Sequence, residues 1–134
     1  MFAKTKVTPL NPEIEQIAAH VVDSAFQVHS KLGPGLLESI YEKCLMLELN
    51  KRKVAVANQL SLPVYYDGKP IDCDYRMDLL VEKKLIIEIK AVETLLPIHK
   101  AQLLTYLKLT QLRLGFLINF NVPVIRQGIK RVIL

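Results

Sequence analysis

Cysteine is scarce and tryptophan is absent: the 134 residues include only Cys44 and Cys73. Both cysteines lie on apolar faces of their segments, and neither has a His or Cys partner at the spacing of a zinc site. We therefore expect two small core residues in a reducing cytosol. The sequence has no run of 18 apolar residues and no long apolar stretch behind its N-terminal lysines. These absences predict a cytoplasmic protein with no membrane partner and no secretory signal of this type.

Acidic residues are outnumbered by basic ones. Lys and Arg total 18 against 13 Asp and Glu, a formal charge of +5. This excess favours a polyanionic partner, although many metabolic enzymes are equally basic. The length fits one domain with its own core, and no internal repeat, linker or low-complexity tract divides it. We expect an irregular lead-in over residues 1–11 and a single domain over residues 12–134.

Local signals divide the chain into helices and strands. Asn11 can cap a helix that begins at Pro12, and the Gly33-Pro34-Gly35 segment ends it. Helical periodicity predicts further helices over 36–52 and 97–110. An Asp-Gly turn at residues 67–68 is the strongest hairpin signal. Extended segments are predicted over 54–57, 59–66, 71–81, 85–90, 114–120 and 129–133.

In the segment from Asp78 to Lys90, charged residues interrupt an otherwise apolar sequence. The isoleucines of residues 85–89 are typical of a strand that is covered on both faces. Glu88 and Lys90 interrupt this run, and because they are two residues apart on a strand they point to the same face. Burial makes charge costly, so these side chains need a function or a partner.

The pairing of this hairpin decides whether its acids meet. If Glu82–Lys84 form a three-residue turn, the numbers of opposed residues sum to 166, which places Asp78 opposite Glu88 and Arg76 opposite Lys90. A two-residue turn would send Glu88 to the other face of the sheet.

Two facing carboxylates repel in a partly dry site, so they bind a proton or recruit a cation. Mg²⁺ is held by one or two carboxylates together with water and phosphate oxygens. The ammonium of Lys90 can orient an attacking water or stabilise charge on a phosphate under attack. The hairpin therefore predicts phosphodiester hydrolysis assisted by Mg²⁺ or Mn²⁺.

Three motifs together resemble a known family. Asp78 followed by Glu88-Ile89-Lys90 is similar to the Asp…(Asp/Glu)-x-Lys signature of the PD-(D/E)XK nuclease superfamily, although Met77 stands where that name expects proline. Residues 35–41 read G-x-x-E-x-x-Y, and residues 102–106 read Q-x-x-x-Y. With these motifs the chain resembles, over residues 12–134, the small prokaryotic proteins named GxxExxY after the first of them.

The resemblance implies a fold, an activity and a set of site residues. The expected fold class is α/β, a restriction-endonuclease-like core with a mixed central β-sheet flanked by α-helices, and the element order agrees with it. The implied activity is a divalent-metal-dependent nuclease that hydrolyses phosphodiester bonds, with DNA as the favoured substrate. The implied metal ligands are Asp78, Glu88, the Ile89 carbonyl and Glu38.

The remaining site residues have supporting parts in this prediction. Lys90 would position the attacking water, Gln102 would orient a phosphate or that water, and Tyr106 would hydrogen-bond the main chain or Glu38. The nucleic-acid contacts expected outside the centre are Arg76, Lys100 and Lys108. Because a domain of this size has one active site, cutting both strands of a duplex would need a homodimer.

Each candidate residue also has an ordinary structural interpretation. Glu38 suits the third position of a helix capped by Gly35, where the helix dipole alone favours an acid, but its stripe with Tyr41 and Leu45 predicts a carboxylate that borders the core. Asp78 could be a solvated acid on a polar strand face. Gln102 could be a polar residue on the solvent-facing side of its helix, and Tyr106 could be a ring that packs against the core. We interpret the three histidines as structural or surface residues: His20, His29 and His99.

Two other functions remain open at this point. One is a non-catalytic nucleic-acid-binding or protein-interaction module on the same fold. The intact Asp, Glu and Lys set argues against it, because unpaired charges on a buried strand are costly. The other is a small-molecule phosphohydrolase that uses the same metal chemistry.

Overall fold

The computed structural model describes residues 8–134, so residues 1–7 of the predicted lead-in lie outside the described range. The helices are α1 (Pro12–Leu32), α2 (Glu38–Lys51) and α3 (Pro97–Thr110). The strands are β1 (Val56–Ser61), β2 (Val64–Tyr66), β3 (Lys69–Ile71), β4 (Arg76–Val81), β5 (Leu85–Lys90), β6 (Leu114–Asn119) and β7 (Ile129–Ile133). A short 3₁₀ helix, Ile125–Gly128, precedes β7.

Five strands form one mixed sheet in the order β1-β4-β5-β6-β7, and β2 and β3 form a separate hairpin. All neighbours in the large sheet are antiparallel except β5 and β6, which run parallel. α3 makes the connection between these two parallel strands. The predicted mixed sheet flanked by helices is confirmed.

The sheet separates two apolar layers. One layer packs α1 and α2 against residues such as Ile87 and Phe116, and the other packs α3 against residues such as Ile86 and Leu117. β5 lies in the middle, and its first five residues are buried. Burying each large aliphatic side chain contributes about 2 kcal/mol to stability, so β5 is a major source of the stability of the fold.

The first helix begins and ends as the sequence predicts. Asn11 Oδ1 accepts a hydrogen bond from the Glu13 amide at 2.8 Å, and Pro12 occupies the first turn. The helix ends at Gly33, whose φ of +66° is accessible to glycine at little cost. The second helix differs from the prediction, because its N-cap is Leu37 and Glu38 is its first residue. The ordinary interpretation of Glu38, as the third residue of a helix capped by Gly35, is therefore wrong.

The hairpins agree with the sequence, but the long strand predicted over 71–81 does not. The residue numbers of each β4–β5 pair sum to 166, as for Leu79 opposite Ile87. The predicted three-residue turn is therefore confirmed. The Asp-Gly turn joins β2 to β3. Residues 72–75 form an irregular connection that leaves Cys73 exposed. The expectation of a buried Cys73 is wrong because the strand alternation stops before residues 72–75, whereas Cys44 packs half-buried against the core.

Within residues 8–134, no helix combines the length and the apolar character needed to cross a bilayer.

Candidate active site

Asp78 and Glu88 meet where the β4–β5 ladder stops. The last main-chain pair is Leu79 with Ile87, and beyond it the two carboxylates replace main-chain partners. Glu88 Oε1 accepts a hydrogen bond from the Asp78 amide at 3.1 Å, and Asp78 Oδ2 accepts one from the Ile89 amide at 2.7 Å. The two acids are therefore held together across the strands, at the position that the predicted register gives them.

Glu88 is an almost fully buried carboxyl group, with 3% of its surface exposed. Burial, followed by the nearby charge of Asp78, raises the pKa of Glu88 to about 9, while the Lys90 ammonium acts to lower it. Without a bound cation, Glu88 is therefore protonated at neutral pH. A buried acid beside a second acid is a chemical arrangement that a divalent cation would relieve.

A cavity of about 560 Å³ opens next to Asp78. Its wall includes Asp78 and Ile89 from the sheet and Glu38 and Glu42 from α2. Glu88 does not line the cavity, but its carboxylate contacts Asp78. Three acids, Glu38, Glu42 and Asp78, therefore border one cavity, and Glu88 adjoins the third of them.

Glu38 is more exposed than the sequence predicts. We expected its carboxylate to border the core, but the side chain is exposed and faces the cavity. The reason is that α2 begins at Glu38, so its side chain extends from the helix end beyond the packed layer. Glu38 Oε1 accepts a hydrogen bond of 3.3 Å from the amide of Ala91, the residue after Lys90. This contact joins the start of α2 to the end of β5.

The other residues of the G-x-x-E-x-x-Y motif shape the loop that carries Glu38. Gly35 has φ of +102°, a left-handed conformation that L side chains rarely adopt. The Tyr41 hydroxyl donates to the Gly33 carbonyl at 2.6 Å and accepts from the Leu36 amide at 3.1 Å. The Tyr41 ring stacks on Phe120 with 4.5 Å between ring centroids. The motif therefore anchors the loop to the core and fixes where α2 starts.

Gln102 and Tyr106 lie on the α3 side of Glu88. Gln102 Nε2 donates to the Tyr106 hydroxyl at 3.0 Å, and the Tyr106 ring lies 5.0 Å from that of Tyr75. Burial, followed by the charge of Glu88, raises the pKa of Tyr106 above its ordinary value. The predicted partner of Tyr106, the main chain or Glu38, is wrong, because the hydroxyl faces Gln102 on the opposite side of the sheet from the cavity.

Lys90 is partly exposed at the end of β5. Its main chain is fixed by the Phe120 amide, which donates to the Lys90 carbonyl at 2.9 Å. Asn119, which sequence reasoning missed, continues this attachment: its side chain accepts from the Val92 amide at 3.1 Å and donates to the Val92 carbonyl at 2.8 Å. With 2% of its surface exposed, Asn119 is a polar residue ending an apolar strand, which is the signal that could have identified it.

Glu42 and Gln59 also border the cavity and were not predicted. Glu42 is one helical turn after Glu38, a spacing that puts both acids on one face of α2 and could have indicated it. Gln59 Nε2 donates to Glu42 Oε1 at 2.7 Å and lies 3.5 Å from Asp78 Oδ1. These contacts link α2, β1 and β4 at the edge of the cavity.

The basic residues predicted to contact nucleic acid come from two elements, α3 and β4. Lys100 and Lys108 are exposed on α3. Arg76 pairs with Ser61 of β1, and its predicted position opposite Lys90 is not part of the β4–β5 ladder. Its guanidinium is bonded to Asp74 at 2.6 Å, which partly neutralises its charge toward a phosphate.

The donor set fits a hard divalent ion. Asp78 and Glu88 supply two adjacent carboxylates, and Ile89 borders the same cavity as Asp78. In the described part of the chain, no three His, Cys, Asp or Glu side chains are grouped so that they could hold a metal ion. Two protein carboxylates with the other positions left to water and phosphate are sufficient for Mg²⁺, whereas a closed structural site would need more protein ligands.

Comparison with family models connects this geometry to known proteins. The family model described as the PD-(D/E)XK nuclease superfamily matches residues 15–132. A search of curated proteins found no match.

Proposed function

The chain belongs to the PD-(D/E)XK nuclease superfamily, and on this basis we propose that it is a divalent-metal-dependent nuclease that hydrolyses phosphodiester bonds in DNA. Members of this superfamily are generally metal-dependent nucleases that act on nucleic acid. The observation that carries the proposal is the joined pair of Asp78 and Glu88, with Glu88 buried and Lys90 within electrostatic range. We further assign residues 12–134 to one nuclease domain of the GxxExxY group, because Gly35 and Tyr41 both have parts in placing Glu38.

Asp78 and Glu88 would hold Mg²⁺ or Mn²⁺ with the Ile89 carbonyl, and Glu38, which borders the same cavity but forms no three-acid group with them, would contribute through a metal-bound water. When bound, such an ion polarises a phosphate oxygen and lowers the pKa of a coordinated water. Glu88 must first lose the proton that burial and Asp78 favour. Asp78, Glu88 and Ile89 come from two adjacent strands and Glu38 from a helix end, and the cavity bordered by Asp78, Ile89 and Glu38 leaves room for a phosphate group.

Lys90 would donate hydrogen bonds to the scissile phosphate or to the attacking water. Its ammonium is close enough to Glu88 to lower the pKa of that acid. Preorganised positive charge stabilises the negative charge that develops on the phosphate oxygens. Because the Lys90 carbonyl is fixed by Phe120, the side chain starts from a rigid main chain.

Gln102 and Tyr106 would support the centre from the other face. They border Glu88 rather than the cavity, so we assign them to holding the buried acid in place and not to direct contact with substrate. Lys100 and Lys108 would add nonspecific contacts to flanking phosphates, which makes binding dependent on salt. Cutting both strands of a duplex would require two copies of the chain.

The test is cleavage by the purified protein with Mg²⁺ or Mn²⁺ on supercoiled plasmid, linear duplex DNA, single-stranded DNA and RNA. Lys90→Ala and Asp78→Asn should abolish metal-dependent cleavage. Matched controls are Lys83→Ala in the β4–β5 turn and Asp72→Asn in the irregular connection, both exposed. Cleavage that survives in both site variants would contradict the assignment and identify a contaminating nuclease.

Two measurements separate the alternatives. A non-catalytic module on this fold would give no saturable heat when titrated with Mn²⁺, or would bind Mn²⁺ and DNA without turnover. A small-molecule phosphohydrolase would hydrolyse a chromogenic phosphate ester and leave polynucleotides intact.

A further inference from the structure

Gln59 has an unusual backbone for its position in β1. Its φ is +51°, the left-handed region, although it is neither glycine nor asparagine. The pairs on either side of it, Asn58 with Leu79 and Leu60 with Met77, are present, whereas the intervening pair of Gln59 with Asp78 is missing from the ladder. A left-handed non-glycine residue costs about 1 kcal/mol or more, so something must compensate for this conformation.

The side chain of Gln59 provides that compensation. Its Nε2 donates to Glu42 Oε1 at 2.7 Å and also lies 3.5 Å from Asp78 Oδ1. An amide nitrogen carries two hydrogens, so it can donate to both carboxylates at once. Glu42 is 8% exposed, and a buried carboxylate needs such a donor.

We propose that Glu42 and Gln59 are positioning residues that orient the Asp78 carboxylate. Glu42 fixes the Gln59 amide by the shorter bond, and the amide in turn directs Asp78 Oδ1, while the Ile89 amide holds Oδ2 at 2.7 Å. Both oxygens of Asp78 then have a defined neighbour before any ion binds. The purpose of this arrangement, presenting Asp78 to a metal, rests on the proposed function, but the orientation itself does not.

The amide also separates two acids that would otherwise repel. Glu42 and Asp78 border the same cavity, and the neutral Gln59 amide lies between their oxygens. Partners that orient a metal-binding side chain in this way typically affect metal affinity by about tenfold or more. A residue that served only the fold would affect stability instead.

The first experiment measures hydrogen exchange of the Ile89 amide by NMR in the metal-free protein. Gln59→Gly removes the side chain and relieves the left-handed strain, and Glu42→Leu removes the acceptor. Each should make Ile89 exchange about fivefold to tenfold faster, since Asp78 loses orientation. Glu42→Gln, which keeps an acceptor oxygen, should restore slow exchange, and Asn58→Ala on the same strand should have no effect.

Stability and metal binding complete the test. In Gln59→Gly the relieved left-handed strain offsets the hydrogen bond lost by Glu42, so the unfolding midpoint should change little, yet Mn²⁺ should bind about tenfold more weakly in calorimetry. Unchanged Ile89 exchange in both variants, or faster exchange that only follows a loss of global stability, would overturn the inference. If the unsubstituted protein neither binds Mn²⁺ nor cuts DNA, the proposed function fails, and Ile89 exchange still decides whether Glu42 and Gln59 orient Asp78.

Discussion

Glu88 Oε1 accepts a hydrogen bond from the amide of Asp78, while Asp78 Oδ2 accepts one from Ile89, the residue after Glu88. Glu88 of β5 thus supplies an acceptor for a main-chain amide of β4, and Asp78 of β4 supplies one for a main-chain amide of β5. Because the same oxygens are candidate metal ligands, the substitutions that test the site must separate a lost ligand from a lost structural bond.

The substitutions Asp78→Asn and Asp78→Ala should separate the loss of a candidate metal ligand from the loss of a structural hydrogen bond. Asp78→Asn keeps an oxygen that can accept from the Ile89 amide, so it should abolish cleavage with little loss of stability. Asp78→Ala leaves that amide without a partner and should also lower the free energy of unfolding by about 1–3 kcal/mol. Chemical denaturation of both metal-free variants measures the difference. Equal stability of the two would show that the Asp78–Ile89 bond contributes nothing.

Stability of the metal-free protein should fall as pH rises toward 9. The pKa of Glu88 is about 9 in the folded state, against an ordinary value of 4.5. The folded state therefore binds the proton more tightly, so the stabilisation is complete below pH 4.5 and is lost as pH increases to 9, by up to about 1.4 kcal/mol per pH unit.

Glu88→Gln provides the check on this pH dependence. A glutamine keeps an acceptor for the Asp78 amide but cannot ionise, so its free energy of unfolding should stay level between pH 5 and 9. Denaturant titrations in the presence of a chelator measure both proteins. A parallel decline in the variant would assign the effect to another group.

Metal affinity should change with pH in the opposite direction. Since Glu88 must lose its proton to act as a ligand, Mn²⁺ binding should strengthen by up to about tenfold per pH unit between pH 6 and 8 and release a proton. Calorimetry in two buffers of different ionisation enthalpy counts that proton. Binding that does not vary with pH would exclude Glu88 from the ligand set.

Asn119→Ala should destabilise the fold. The substitution leaves the Val92 amide and carbonyl without their side-chain partner in a buried region, which costs about 2–3 kcal/mol. Asn58→Ala, at an exposed asparagine of β1, should cost less than about 0.5 kcal/mol. Denaturation midpoints compare the two, and similar losses would contradict a special role for Asn119.

Tyr41→Phe should weaken the loop that precedes α2. It keeps the ring stacked on Phe120 but removes the hydroxyl that joins the Gly33 carbonyl to the Leu36 amide, so it should cost about 1–2 kcal/mol. Tyr66→Phe removes an exposed hydroxyl of the β2–β3 hairpin and serves as the control. A loss no larger than that of Tyr66→Phe would mean that the loop does not depend on the hydroxyl.

Local rules predicted much of the fold and the position of the acid pair. The bounds of α3 follow from Pro97 at its first position and from helical periodicity, and the structure reproduces them. The β4–β5 register follows from the length of the turn and from the alternation of apolar and polar residues, since a shift of one residue would move every side chain to the opposite face of the sheet. The parallel pairing of β5 and β6 follows from the helix that connects them.

Features that depend on distant neighbours could not be predicted. Gln59 and Asn119 are ordinary polar residues in the sequence, and they become important only because β1 lies against Asp78 and β6 lies beside Lys90. Cys73 continues the strand alternation in the sequence, yet residues 72–75 are irregular in the structure and Cys73 is exposed. The hydroxyl of Tyr106 meets Gln102 on its own helix, which spacing alone permits but does not require.

The hydrogen bonds that Asp78 and Glu88 accept between β4 and β5 also favour one register of these strands. A register shift of one residue between β4 and β5 would leave the amides of Asp78 and Ile89 without hydrogen-bond partners. It would also turn the Glu88 side chain toward α1 and α2. Misaligned chains would therefore lose these hydrogen bonds together with the pairing of the two candidate metal ligands. The register that joins β4 to β5 is thus also the one that brings the two acids together.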